Sequence, residues 1–330
     1  MDNDQVSDIF QRRAFPGKAE PARLLSTHIS WVILTPDYAF KIKKPVRFSF
    51  LDFSTPARRS FFCREEVRLN RRLAPDTYLG VLPIGLENGL PRIGKRNRPA
   101  LDYAVWMRRE DNSKELDVLL RTGNIVPENM KQLAHSLAVF HKTCALRHPR
   151  FNPADLQNDF ADLFQYEQKL ADALDTEPAS FLSELRSGLP LFMELHGTRL
   201  RERARTGFFT EGHGDLHTRN IFLTDPPVLF DCIEFNPQWR RLDVLNELAF
   251  LAMDLDYFQR SDLGEALLRY YREEHPCIIR PEDEVLFLFF KAYRANVRLK
   301  VTLLGGPLSP DLKETVKQYW ELLEGYWRKI

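Results

Sequence analysis

His213-Gly214-Asp215-Leu216-His217-Thr218-Arg219-Asn220 runs into Ile221-Phe222 and then, past Asp225-Pro226-Pro227, into Val228-Leu229-Phe230-Asp231. This stretch decides the reading of the chain. Gly212 to Phe235 reads as a short strand–loop–strand unit set in an otherwise helical region. One loop presents an Asp and an Asn with Leu216, His217, Thr218 and Arg219 between them, and an apolar strand then ends in a second Asp. A carboxylate at Asp215 can accept a hydroxyl proton. The Asn220 amide and the Asp231 carboxylate are oxygen donors of the kind magnesium takes from protein, with phosphate and water completing its shell. Each piece alone has a plainer role, since Asp and Asn also cap turns.

Working outward toward the N-terminus, Ile29 to Leu34 and Tyr38 to Lys43 are short β-like runs, and Thr35-Pro36-Asp37 between them reads as the turn of a hairpin. Alternation along Tyr38-Ala39-Phe40-Lys41 places Ala39 and Lys41 on one face and Phe40 and Ile42 on the other. Lys43 shares the Lys41 face and is its rival. Ser54-Thr55-Pro56 supplies a cap and a first-turn proline for a helix to about Leu73. That helix carries Glu65 and Glu66, either of which can hold a lysine. β-like runs follow at Tyr78 to Leu86 and Leu101 to Met107, with a Gly- and Arg-rich loop, Asn88 to Arg98, between them.

Outward in the other direction the pattern is helical. Val126 to His141 has Leu133, Leu137 and Phe140 at helical spacing, Arg147 to Pro153 reads as a polar loop, and Phe151 to Gly207 reads as helices. Further helices are expected at Asp243 to Tyr257, Leu263 to Glu273, Glu282 to Leu304 and Pro310 to Trp327. A small β-rich part thus precedes a larger helical one, an α+β chain.

The 330 residues are 44% hydrophobic, ample for a sizeable core. With 47 Lys plus Arg against 46 Asp plus Glu, no global field argues for nucleic acid. Met1 to Phe10 carries three aspartates and no apolar run, so no signal peptide is expected, and no apolar stretch is long enough for a membrane span. Cys63, Cys144, Cys232 and Cys277 are far apart, which suits reduced thiols in a cytoplasmic protein.

The loop from His213 to Asn220 has the spacing of a kinase catalytic loop, and Tyr38-Ala39-Phe40-Lys41 resembles the kinase strand that carries the phosphate lysine. More narrowly, Gly212 to Leu251 resembles the aminoglycoside phosphotransferase and choline kinase family. Its marks are H-G-D-x-x-x-x-N, a strand ending in Asp, and the stretch Asp243-Val244-Leu245-Asn246-Glu247-Leu248-Ala249. Leu137-Ala138-Val139-Phe140-His141 is similar to a helix end of that family. The likeness extends over Ile29 to Leu304 and is nearest to a bacterial subgroup sometimes fused to a P-loop ATP-binding domain. No G-x-x-x-x-G-K-[ST] occurs here, so a separate P-loop ATPase is a candidate partner.

The resemblance implies a bilobal protein-kinase-like fold, with a nucleotide-binding lobe over residues 1–107 and a helical lobe over 108–330. It implies ATP and Mg2+ as cofactors. Asp215 would be the catalytic base and His213 would support its loop. Asn220 and Asp231 would bind magnesium; Lys41 would contact the α- and β-phosphates, braced by Glu66, whose distance to Leu73 resembles that in small-molecule kinases. Met107, Arg108, Arg109 and Glu110 would form the adenine-facing hinge, and Asp243 would be a buried structural carboxylate.

The chain departs from that pattern in places. No G-x-G-x-x-G lies between the first strands, and the candidate phosphate cover is Ser26-Thr27-His28-Ile29-Ser30. The metal segment reads Asp231-Cys232-Ile233-Glu234, so Glu234 is either a second carboxylate near the metal or a surface residue. His217 either contacts substrate or packs the loop. Asp254 and Asp256 would suit a cationic acceptor; Lys291, Arg294 and Arg298 share one helix face and, if turned inward, would suit an anionic one. Arg199, Arg201, Arg203 and Arg205 steer anions or are surface charge. The expected activity is Mg-ATP-dependent transfer of the γ-phosphoryl group to a hydroxyl of a small molecule. The alternatives are a catalytically weak, nucleotide-binding regulatory pseudokinase, or a kinase or AMP-transferase acting on a protein.

Overall fold

The computed structural model describes every residue except 49, 98, 148, 175–177 and 305–307. Arg98 of the expected 88–98 loop, His148 of the 147–153 loop and 175–177 of the expected 151–207 helices therefore lie outside the described residues. In chain order the elements are α1 (Asn3–Gln11), β1 (Arg23–Ser26), β2 (Ser30–Leu34), β3 (Tyr38–Lys43), α2 (Pro56–Asn70), β4 (Tyr78–Glu87), β5 (Leu90–Ile93), β6 (Asp102–Arg108) and α3 (Leu116–Thr122). Then come α4 (Met130–Thr143), α5 (Pro153–Ala161), α6 (Glu167–Ala173), α7 (Ala179–Arg205), β7 (Phe209–Glu211), β8 (Ile221–Phe222), β9 (Val228–Leu229), α8 (Pro237–Arg240), β10 (Arg241–Asp243), α9 (Val244–Tyr257), α10 (Ser261–Glu274), α11 (Pro281–Leu304) and α12 (Pro310–Trp327). They gather into two compact units, Met1–Val118 with Asn220–Trp239, and Leu119–Arg219 with Arg240–Ile330.

The first unit is built on an antiparallel sheet of order β1-β2-β3-β6-β4-β5. Period-two alternation sorts its side chains. Trp31, Ile33, Phe40 and Ile42 join Ile84, Ile93 and Ala104 against Val6 and Ile9 of α1. On the other face Ala39, Val105 and Met107 pack with Cys63 and Val67 of α2 and with Tyr78; Val32, Leu34, Val81, Val228 and Phe230 border them. The expected hairpin is present, with Leu34 opposite Ala39, and the Thr35 hydroxyl accepts the Tyr38 N–H at 3.0 Å.

Thr55 caps α2 as expected, its hydroxyl accepting the Arg58 N–H at 3.3 Å. The helix stops at Asn70, short of the expected Leu73, because Ala74 precedes Pro75 and is biased away from helical ψ. The expected 88–98 loop instead contains β5. Asn88 and Gly89 turn the chain at φ 53° and 79°, the Asn-Gly dipeptide that two-residue hairpins favour. α1 and β1 were not anticipated either. α1 begins with a capping box between Asp2 and Gln5 amid the aspartates read as a charged terminus, and β1 is a mostly exposed edge strand with no apolar alternation.

The second unit is helical. α9 is buried continuously from Val244 to Leu255, as a helix that is apolar nearly all round must be. α10 and α11 flank it, and α12 packs on α11. β7 and β10 form a two-stranded ribbon with Phe209 opposite Asp243, which then caps α9 by accepting the Leu245 N–H at 2.8 Å. None of the four cysteines is in a disulfide; Cys63, Cys232 and Cys277 are buried and Cys144 is half-buried. Among the described residues no helix is long and apolar enough to cross a membrane.

Candidate active site

In the first unit, β3 aims Lys41 and Lys43 from the same face as Ala39. Lys41 Nζ pairs with Glu66 Oε1 at 3.0 Å and with Asp231 Oδ1. Lys43 Nζ donates to Glu66 Oε2 at 2.6 Å and to Glu234 Oε1. Glu66 thus holds both lysines, while Glu65 pairs with Arg68 at 2.7 Å on the exposed side of α2. The two lysines differ in reach. Lys43 is sealed at 0% side-chain exposure, whereas Lys41 keeps 12% and alone of the two touches Asp231. Burial works against the charge on Lys41, but Asp231 and then Glu66 outweigh it and hold the ammonium well above its ordinary range. Glu66 moves the other way: burial opposes ionisation, and the two lysines override it. At Glu234 burial wins: Lys43 and Lys41 oppose it, Glu66 adds to it, and the carboxyl is raised.

Asn220 and Asp231 belong to the same hairpin. Ile221 of β8 pairs with Leu229 of β9, and the Phe230 N–H donates to the Asn220 carbonyl at 3.1 Å. Asn220 therefore enters, and Asp231 leaves, at one end of this ribbon. Asp231 adopts a left-handed backbone, φ 63°, which Asp tolerates better than most residues. Its N–H donates to Tyr78 Oη at 3.0 Å, and the next N–H, of Cys232, donates to Asn70 Oδ1 at 2.8 Å. The segment is pinned at two successive amides while the Asp231 carboxylate stays 42% exposed.

The expected phosphate cover and hinge are largely self-satisfied. The Thr27 hydroxyl closes the β1–β2 turn by accepting the Ser30 N–H at 2.9 Å, and Ser26 Oγ accepts from Lys44 Nζ at 2.9 Å. Ser30 is buried with its hydroxyl unpartnered among the described residues. Met107 lies opposite Ala39 on the apolar face. The Arg108 N–H goes to Thr77 O at 2.8 Å and the Arg109 N–H to Asp37 O at 3.0 Å.

The second unit carries the His213–Asp215 loop. Glu247 of α9 organises it: Oε1 accepts the His213 and Gly214 N–H groups at 2.8 and 2.7 Å, and Oε2 bonds His141 Nε2 at 2.7 Å. His141 Nδ1 meets Tyr271 Oη at 2.8 Å. Burial disfavours the Glu247 charge, yet the His141 bond, the imidazoles nearby and the Gly214 N–H hold it down at about 2. Gly212 is required by space, since a Cβ there would stand 2.4 Å from Glu247 Oε2. Gly214 turns the loop at φ 86°. Arg294 Nη1 donates to Gly214 O at 3.2 Å from the far side. Asp215 is left half-exposed with His217 Nε2 3.4 Å from its Oδ2; burial raises its carboxyl, but His217, Arg298 and His213 bring it well below the usual carboxylate range.

No family model matches this sequence. Over 285 residues it is 32% identical to an uncharacterized protein of Mycobacterium tuberculosis (strain ATCC 25618 / H37Rv), covering 83% of this chain and 53% of that protein. The chain therefore spans about half the length of the curated relatives it matches. Among solved structures, the GDP and kanamycin complex of APH(2")-IIia aligns over 98% of each chain with a TM-score of 0.58 and 16% identity. A choline kinase from Cryptosporidium parvum Iowa II aligns over 99% of this chain and 95% of its own, TM-score 0.54, at 12% identity. The fold is protein-kinase-like.

Within that protein-kinase-like fold the anticipated residues divide between the units. Lys41, Glu66, Asn220 and Asp231 assemble in the first, His213 and Asp215 in the second. Asp243 is buried and receives Arg203 at 2.7 and 2.8 Å. Arg199 likewise is buried, on Asp283 at 2.8 Å, while Arg201 and Arg205 are exposed. Glu247 and His141, which carry no role in the sequence beyond the resemblance, buttress the Asp215 loop. Glu234, expected as a second metal carboxylate or a surface residue, is buried and paired with Lys43, and Tyr78 had no sequence signal beyond its place in a β-like run.

Proposed function

We propose that this chain is a magnesium- and ATP-dependent phosphotransferase of the aminoglycoside phosphotransferase and choline kinase family, moving the γ-phosphoryl group to a hydroxyl of a small molecule. The observation that carries the reading is Lys41 held between Glu66 and Asp231, with Asn220 at the same ribbon end as Asp231. A lysine braced by one carboxylate and facing a second, more exposed one is the arrangement phosphoryl transfer asks for.

The donor set fits magnesium. One half-exposed carboxylate and one amide are the protein share that this small, hard cation takes when phosphate oxygens and water fill the remaining positions. When held by Asp231 and Asn220, magnesium would supply charge neutralisation for the phosphates. The chain's own residues do the rest. Lys41 supplies a fixed positive charge for the α- and β-phosphates, Glu66 keeps it in place, and Asp215 orients the acceptor hydroxyl and takes its proton. Glu247, acting through two backbone amides, fixes the loop on which Asp215 sits.

One observation favours a second reading, a nucleotide-binding regulatory module with weak turnover. The 26–30 turn closes on its own polar groups rather than presenting them. A P-loop ATPase is the partner we propose for that case. The test is a thermal-shift screen with ATP, GTP and ADP with and without magnesium, the guanine arm chosen because APH(2")-IIia was solved with GDP. A labelled γ-phosphate transfer assay over small hydroxyl compounds follows. Magnesium-dependent stabilisation together with a labelled small-molecule product supports the enzyme; stabilisation without any product supports the regulatory module; neither result sinks both.

A further inference from the structure

The second unit carries its own evidence about the acceptor, and it rests on the reading of Asp215 as the residue that meets the acceptor hydroxyl. Lys291, Arg294 and Arg298 are spaced so that one face of α11 bears all of them, and that face turns inward: Arg294 is buried, Lys291 and Arg298 half-buried. Their partners differ. Lys291 is spent on Asp256, which also accepts from Tyr326 Oη. Arg294 donates to Asn246 Oδ1 at 2.6 Å and to Gly214 O at 3.2 Å, one residue from Asp215. Arg298 is anchored by a single edge, Nε to Tyr319 Oη at 3.2 Å, and neither of its Nη groups has a hydrogen-bond partner among the described residues.

The two carboxylates that suited a cationic acceptor, Asp254 and Asp256, are engaged. Asp254 Oδ2 accepts the Thr218 N–H and hydroxyl at 2.9 and 2.6 Å, and its Oδ1 accepts from Tyr319 Oη at 3.4 Å. Asp256 is neutralised by Lys291. One helical turn along α11 from the Arg294 that bonds Gly214 O, this leaves a guanidinium with two open amino groups, braced on a Tyr319 ring that itself stacks on Tyr257 at 4.6 Å. A planar fork of N–H donors, held by its Nε and backed by an aromatic ring, is a receptor for carboxylate or phosphate oxygens. A polycation would meet a like charge at that fork.

We propose that the acceptor is an anionic hydroxyl compound, such as a sugar acid or a sugar phosphate, whose anionic group is bound by Arg298 while its hydroxyl faces Asp215. The transfer itself is balanced. The acceptor oxygen forms a bond to the γ-phosphorus, the bond from that phosphorus to the β-bridging oxygen breaks, ADP leaves, and the hydroxyl proton passes to Asp215.

The test is a labelled-phosphate assay on the intact chain with matched acceptors: a hexose, its uronic acid, its monophosphate, its amino sugar, kanamycin and choline. The expected result is transfer to the uronic acid or the monophosphate, the two arms separating carboxylate from phosphate recognition. Arg298→Gln should raise the KM for that acceptor about 10- to 100-fold, the range a charged hydrogen bond commands, while kcat falls less. Arg298→Glu should move the preference toward the amino sugar, a swap that a merely structural arginine would not produce; Arg298→Lys serves as the folding control and should recover part of the KM. Transfer confined to the neutral or cationic acceptors, or an Arg298→Gln enzyme with unchanged KM for the anionic one, overturns the proposal and leaves the phosphotransferase reading standing. Transfer to no acceptor at all removes both.

Discussion

Asp215 sits in a loop whose neighbours are committed elsewhere: the amides of His213 and Gly214 to Glu247, the carbonyl of Gly214 to Arg294. Its carboxylate is what the loop offers outward. Asp215→Ala should therefore lower turnover by about 10²- to 10⁴-fold while nucleotide still binds, measured by steady-state transfer and calorimetry side by side; full activity would remove Asp215 from the chemistry. Asp231 needs a different substitution. At φ 63° an alanine adds backbone strain of about 1–2 kcal/mol, so Asp231→Asn, which tolerates that geometry, isolates the charge. Calorimetry should show magnesium-dependent nucleotide binding abolished, and binding of undiminished strength would exclude Asp231 as a ligand. At this scale the sequence spoke through spacing. Asp215, Asn220 and Asp231 stood out as candidates because few loops need those types at those intervals, and the structure brings Asn220 and Asp231 to one ribbon end. The choice between Glu65 and Glu66 needed the helix phase, which only packing reveals, and Lys43 with Glu234 could not be paired before β3 and the 231–234 segment were seen together.

Among the elements, the hairpin of β2 and β3 and the capped start of α2 were readable because local chemistry alone dictates them: a Thr-Pro-Asp turn and a Thr-Pro cap. β5 was missed although Asn88-Gly89 announced it, since its strand carries Pro91 and Arg92 and lacks an apolar alternation. The link from α9 to the His213–Asp215 loop is long-range and had no local signature. It makes a sharp prediction at Gly212. A Cβ there would meet a carboxylate fixed by His141 and by two loop amides, so Gly212→Ala must displace the loop rather than the glutamate. We expect about 1–3 kcal/mol of destabilisation, as for overpacked cores, with a loss of turnover exceeding that of a surface control. Chemical denaturation and kinetics on the same sample would show it, and wild-type turnover would mean the loop does not depend on this fit.

For the molecule as a whole, the near-zero net charge leaves individual buried groups to set the acid response. His275 is pushed down to about 4 by burial and by the charges of His141, Lys142 and Arg203. The unfolded chain takes up that proton near pH 6.5 (about the unperturbed value), so the contribution is whole above that pH and drains away as the pH falls toward about 4. Glu247 acts lower: its folded value of about 2 lies beneath an unfolded one of about 4.3, so its share is lost as the pH drops from there through about 2. Melting temperature against pH should decline in two stages, and His275→Asn should flatten the upper stage alone. A curve unchanged by that substitution would refute the assignment. The two-part organisation was visible in the shift from β-rich to helical pattern. The return of Asn220–Trp239 to the first unit was not, since nothing local in a helical tract says which unit a short ribbon will join.

The cysteines offer a practical handle. The Cys63 and Cys277 thiols are buried and pushed up to about 12, and Cys232 is buried beside Asp231, so a maleimide dye under native conditions should find Cys144. That residue ends the helix bearing His141, and its carbonyl accepts the Glu211 N–H at 3.0 Å, next to Gly212. Within this chain, a fluorophore at Cys144 would sit at the root of the Asp215 loop.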